Sequence, residues 1–265
     1  MVRALLAYAV KEVQSFHHLK STFVLNLLSI GFGSITYYYL GCLLNSSNQP
    51  HLSKGYFPYV LIGISASTLL ANTLSGMVSA LSHEQDLGTF EIILLSPLPD
   101  CIAFFGLGLW QVFYSSMISL GYIVVCAVSD PTGLSFTCIF GTLIIFFLGG
   151  IFALGLGGMI SGLNLYFKTG ISIAWILSSL FILLGDIYFP IHILPLWLQK
   201  IAHFLPLTLM VATLRDLWLA SHSLSHISSF LWLLSLYSIS SLILFVFLLH
   251  WILAKMRQKG TLSSG

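Results

Sequence analysis

The sequence predicts an all-α polytopic membrane protein with six transmembrane helices, an N-terminal interfacial helix, and short external re-entrant helices between spans five and six. Three observations carry that prediction. Of 265 residues, 57% are hydrophobic and 7% charged, whereas soluble domains carry roughly a quarter charged residues. Apolar runs of about 20 residues, enough to cross roughly 30 Å of hydrocarbon, recur six times. Lys and Arg fall mainly on one side once these runs are threaded back and forth.

Along the chain, Val2, Leu5, Leu6, Ala9, Val13 and Phe16 recur at helical spacing, with Arg3, Lys11, Gln14 and His18 opposite. Such a stripe suits a helix lying on the membrane surface or the start of a tilted first span. Lys11 and Glu12 stand where a signal peptide would have its apolar core, so the start is expected to be retained. The six runs are 22–44, 57–81, 101–128, 134–163, 171–189 and 228–253, forming one membrane domain over 1–265. The connection 190–227 is too long for a turn and holds apolar, Trp-bearing stretches at 194–204 and 207–220 that are too short or interrupted to cross. Short re-entrant or interfacial helices are expected there, because irregular backbone at membrane depth survives only where protein or water satisfies it.

With the N-terminus cytoplasmic, Arg3, Lys11, Lys20, Lys168, Lys255, Arg257 and Lys259 lie inside, and Lys54, Lys200 and Arg215 outside. Both ends then face the cytoplasm, as does the connection 82–100, and 190–227 is external. The net charge of +2 leaves no basic face for nucleic acid. Cys42, Cys101, Cys126 and Cys138 show no metal-ligand spacing and are expected to be buried apolar residues. His222 and His226 are four apart, but nothing nearby completes a metal site. Trp175, Trp197, Trp218, Trp232 and Trp251 are expected to anchor at the interface.

Seven glycines crowd the fourth span, with Gly158 and Gly162 at small-residue spacing. Glycine lets helix backbones approach closely, either as fixed packing or as a surface on which helices slide. Three of the eight carboxylates, Glu84, Asp86 and Glu91, share the segment 83–97 of the connection after the second run. Gly88 supplies a bend there, Thr89 can cap a short helix, Phe90, Ile93 and Leu94 give it an apolar face, and Pro97 follows. Acid beside an apolar face suits docking onto a basic-rimmed groove of a soluble partner.

Glu84, Gly88-Thr89, Glu91 and Ser96-Pro97 resemble the E-x-x-x-G-T-x-E...P signature between the second and third spans of type-2 ABC exporter permeases. Tyr188-Phe189-Pro190, Leu194-Pro195, Trp197-Leu198-Gln199, Ala202, Leu205-Pro206-Leu207-Thr208 and Leu214-Arg215 are similar to that family's F-F-P...L-P-x-W-L...A...x-P-L-T...L-R run. The resemblance implies that the first segment is a coupling helix seated on an ATP-binding-cassette ATPase. It also implies that the second, with Asp186, Pro190, Pro195, Pro206 and Arg215, forms re-entrant helices near the exit, and that two permease halves, identical or merely similar, assemble in a cell membrane, most naturally a bacterial cytoplasmic one. Two departures stand out. Basic residues common around the family's coupling segment are absent, and Gly185-Asp186 replaces a usual Ser-Gly. Asp186 is expected to pair with Lys200 or Arg215, or to contact cargo.

No G-x-x-x-x-G-K-[ST] occurs in the sequence, so ATP and Mg are expected on a separate ATPase, with no cofactor held by this chain and no catalysis by it. A secondary transporter or channel would place ionisable groups in mid-span, whereas the only carboxylate in the runs is Asp186, at an end, and Lys and Arg are absent from them. An intramembrane protease needs a nucleophile and base at bilayer depth, and no Ser-His arrangement is evident. A passive assembly subunit is the remaining alternative. For a transporter, an apolar, aromatic-rich interior suits a drug-like, lipid-like or lipid-linked saccharide cargo.

Overall fold

The structure, a computed structural model, describes residues 16–45, 55–88, 100–129, 135–167, 170–219 and 224–259. Within them lie eight α-helices and no strand: α1 (Phe16–Asn45), α2 (Tyr56–Asp86), α3 (Asp100–Ser129), α4 (Phe136–Phe167), α5 (Gly170–Leu184), α6 (Leu196–Phe204), α7 (Pro206–Trp218) and α8 (Leu224–Lys259). A single 3-10 turn, Ile191–Ile193, precedes α6. The expected interfacial stripe at 2–16 lies almost wholly outside the described residues.

Among the described residues, four helices are long and apolar enough to cross a bilayer: α2, α3, α4 and α8. α1, at 30 residues, has the length, but Asn26 and the run Tyr37-Tyr38-Tyr39 dilute its apolarity. α5 corrects the expected run 171–189. It ends at Leu184 after 15 residues, about 22 Å at 1.5 Å per residue and short of the roughly 30 Å hydrocarbon core. The chain turns there because Asp186 adopts φ 58, a left-handed conformation that no helix continues through.

α2 is the post around which the rest is built. It packs against α1, α3, α4, α5 and α7, and 72% of its apolar window is buried, against 22% for α8. Val60, Leu61, Leu69 and Leu74 of α2 meet Ile145 and Ala153 of α4 and Leu207, Val211 and Leu214 of α7 in the main core. A second cluster gathers Met77, Phe104, Leu249 and Ile252 around the fully buried Phe245. Outward, α1 exposes Leu25, Leu28 and Phe32, and α8 exposes Ile243, Phe247 and Trp251. A continuous belt of that kind suits hydrocarbon rather than water.

The glycine-rich α4 packs on several sides at once. A Cβ at Gly158 would sit 2.5 Å from the Phe245 ring, and one at Gly162 would lie 3.4 Å from Ile252. These residues therefore set the α4–α8 spacing, as small-residue positions do where no hydrophobic drive separates helix from lipid. Polar side chains satisfy themselves locally, as hydrocarbon requires: Thr68, Thr73 and Ser82 each donate to the carbonyl four residues back. Two expectations fail. Cys42 is exposed, while Cys126 and Cys138 are buried. Trp218 is buried rather than interfacial, its Nε1 donating to Thr142 Oγ1 of α4 at 2.9 Å.

Candidate functional site

The residues singled out in the sequence divide between the two ends of α2. At its C-terminal end, α2 runs through Asp86, so the connection expected to start at residue 82 begins about a turn later. That extension changes the role of Glu84, which is 3% exposed and belongs to the helix's packed side instead of a docking rim. Asp86 and Leu87 are exposed. Gly88, at φ 68, ends the helix in the left-handed conformation glycine adopts without steric cost, its N–H donating to the Gln85 carbonyl at 3.0 Å. Thr89, Glu91 and Pro97 lie outside the described residues.

Close to this end is a joint the sequence reading passed over. Asn164, near the end of α4, donates from Nδ2 to Ser82 Oγ of α2 at 3.0 Å. Its Oδ1 accepts the backbone N–H of Gly170 at 2.7 Å, the first residue of α5. One buried amide thus ties α2 and α4 together and satisfies a free N–H at the start of α5.

The other end of α2 carries the second site. Asp186 lies in the turn after α5 and Arg215 in α7, and Arg215 Nη1 stands 2.6 Å from Asp186 Oδ2, with side chains 9% and 21% exposed. Lys200, the other expected partner, is exposed on α6. Tyr59 of α2 donates its hydroxyl to Asp186 Oδ1 at 3.0 Å, and the Ile191 N–H reaches the same oxygen at 3.1 Å. Arg215 Nη2 also donates to the Asp186 carbonyl, to that of Tyr59 at 3.2 Å and to that of Ile187 at 3.4 Å. The Tyr59 ring lies over the guanidinium, with Cζ 3.4 Å from the centroid, a cation–π contact strengthened by its desolvation.

Gly63, one turn along α2, makes room for this: a Cβ there would lie 3.0 Å from Ile187 Cα and 3.2 Å from Arg215 Nη2. Burial pushes the Arg215 pKa below its usual value, while Tyr59 and Asp186 pull it back up. Starting from a guanidinium, the group stays cationic at neutral pH. The motif prolines set element starts rather than contacts. Pro190 and Pro195 precede the 3-10 turn and α6, and Pro206 opens α7, where its missing N–H costs nothing. α6 buries only Ala202, but α7 is buried along nearly its whole length.

Tyr59 and Gly63 escaped the sequence reading because both sit inside an apolar run that reads as plain span. Only the spacing Tyr59-x-x-x-Gly63 hinted at a packed face. Neither cluster pairs a nucleophile with a base; what both do is bind helices to one another across the bundle.

A chain whose described residues form helices without strands, with several of those helices fit to cross a bilayer, an apolar belt, and a buried ion pair joining elements at the bundle's end, is a multi-pass membrane protein. The sequence profile described as ABC-2 type transporter matches residues 7–219. The chain belongs to that family of ABC transporter membrane subunits. Comparison with curated proteins gives no significant match.

Proposed function

We propose that this chain is the membrane permease subunit of an ATP-binding-cassette exporter, driven by an ATPase on a separate polypeptide. The observation that carries the reading is the end of α2: the most buried long helix of the bundle emerges at the exposed Asp86 and Gly88 into a segment resembling the family's coupling element. Thr89, Glu91 and Pro97 continue that element, and Glu84 anchors its root inside the fold. Hydrolysis on the partner, which holds ATP and Mg, moves the handle, and the bundle alternates between inward-open and outward-open arrangements.

In this reading α1, and α5 together with the turn at 185–190 that lengthens it, complete six crossings with the four long helices, and both termini face the cytoplasm of a bacterial inner membrane. The α6–α7 pair, with Asp186, Pro190, Pro195, Pro206 and Arg215, is a re-entrant element on the outer side. Six helices make a thin enclosure, so two permease chains, identical or similar, face each other with two ATPase subunits. An aromatic-rich interior favours drug-like, lipid-like or lipid-linked saccharide cargo.

The test is docking. Asp86→Lys together with Glu91→Lys reverses two charges at the partner-facing element. At up to about 1 kcal/mol per rim charge, or about 2 kcal/mol for the two, affinity for the ATPase should fall up to roughly thirtyfold, read as reduced co-purification while membrane insertion stays intact. Unchanged recovery of the ATPase would remove the handle from the mechanism.

A further inference from the structure

α5 is the short member of the bundle, yet it is held at both of its ends, at its start to α2 through Asn164 of α4 and just past its finish by α2 directly. At its start, Gly170 N–H is bonded to Asn164, which is bonded in turn to Ser82 of α2. Just past its finish, the Asp186 carboxylate receives the Tyr59 hydroxyl of α2 and the Arg215 guanidinium of α7. The two fastening points on α2 are 23 residues apart, roughly 35 Å along a helix axis. α2 and α5 also pack directly on one another between them.

Pinning at two separated points removes sliding and hinging between two rods, leaving them one body. Because Arg215 belongs to α7, that body includes the buried short helix. Breaking a buried ionic contact is expensive when one partner is left behind, so the far pin stays closed against thermal opening.

We infer that the Tyr59–Asp186–Arg215 cluster is a transmission latch: it makes α7 travel with α2, so that displacement at the Asp86 end reaches the opposite end of the bundle. Asp186, Arg215 and Tyr59 are positioning residues for the transport cycle, distinct from any residue that touches cargo. This rests on the exporter reading, since it presupposes a force applied at the Asp86 end. The sequence shows why the latch is placed here. Asp186 adopts φ 58, a conformation open to Gly, Asn and Asp, and of these Asp alone adds a charge.

The experiment uses the complete permease with its ATPase in proteoliposomes, with Cys42 and Cys101 replaced by Ala and a single reporter introduced as His192→Cys, an exposed site in the 3-10 turn. The readout is the labelling rate by a membrane-impermeant maleimide, with and without ATP plus vanadate, alongside ATP hydrolysis. With the native latch, nucleotide trapping should change the rate at least threefold. Asp186→Asn preserves the left-handed turn but removes the charge, and should cut that change to less than 1.5-fold while hydrolysis continues. Tyr59→Phe removes only the hydroxyl and should give an intermediate response, which also covers the case in which Asp186→Asn fails to assemble. A full nucleotide response in both variants overturns the latch and leaves the exporter reading standing. No response even with the native latch, while ATP is being hydrolysed, overturns both.

Discussion

The Asp186–Arg215 pair should show a large, non-additive contribution to stability, and its size follows from the contacts around it. Removing one member of a buried pair typically costs about 3–5 kcal/mol because the other charge is stranded. In Asp186→Ala the stranded guanidinium keeps the carbonyls of Asp186, Ile187 and Tyr59 and the Tyr59 ring, which places the cost near the lower end, about 3 kcal/mol. In Arg215→Met an apolar chain fills much of the volume. The remaining carboxylate still accepts from Tyr59 and Ile191 and reaches solvent, so about 2 kcal/mol is expected. The double variant leaves no charge to desolvate and should cost about 2–3 kcal/mol, where independent effects would sum to about 5. The coupling is therefore about 2–3 kcal/mol. Equilibrium unfolding in mixed micelles, followed by tryptophan fluorescence, measures all four corners of the cycle. Additivity within about 0.5 kcal/mol would refute the reasoning, because a pair that does not couple energetically is not a pair.

Two further expectations concern packing. Gly158→Ala drives a Cβ to 2.5 Å from the fully buried Phe245 ring, which has nowhere to go. It should destabilise by about 1–3 kcal/mol, whereas Gly162→Ala meets Ile252 at 3.4 Å and should be within about 0.5 kcal/mol of neutral; equal effects on folded yield would show that the two glycines do not differ as described. Asn164→Ala strands the Gly170 N–H and cuts the tie to Ser82, whose hydroxyl keeps its bond to the Val78 carbonyl, and should cost about 1–3 kcal/mol, read as faster backbone hydrogen exchange at the start of α5. Unchanged exchange there would mean that the amide does not hold that helix end.

The amount of fold legible in the sequence tracks the strength of each local signal. Long apolar runs announce long helices, and α2, α3, α4 and α8 lie where the runs 57–81, 101–128, 134–163 and 228–253 were expected, each extended at one or both ends. Extension past the apolar stretch is natural, because hydrophobicity reports where lipid begins while hydrogen bonding and caps decide where a helix stops. Gly88 is the example: polar residues 82–86 look like a connection, but the helix runs on until a residue able to take positive φ ends it. The stop at Leu184 failed for the converse reason. Residues 185–189 are apolar enough to read as span, and only the backbone of Asp186 shows the turn. Contacts distant in sequence were the least legible. That Asp186 needed a partner follows from its charge; that the partner was Arg215 rather than Lys200, and that Tyr59 lies beneath it, depends on how α2, α5 and α7 meet, which no local pattern encodes.

Asp186 stands where the resemblance leads one to expect glycine, and the geometry explains how both residues fit one place. The turn needs φ 58, which glycine takes freely and aspartate at a modest cost. Arg215, for its part, does not depend on the carboxylate to be held: three backbone carbonyls and an aromatic ring already receive it. A glycine at this position would therefore leave the guanidinium resting against the turn and against α2 through backbone dipoles alone, a joint too soft to carry displacement from α2 to α7. The carboxylate adds the Nη1 bond, captures the Tyr59 hydroxyl and the Ile191 N–H on its other oxygen, and neutralises a charge that burial makes costly. Substituting aspartate for glycine thus does not create the joint between α2, α5 and α7. It converts a joint built from backbone dipoles into an ionic one, fastening the end of the bundle farthest from Asp86.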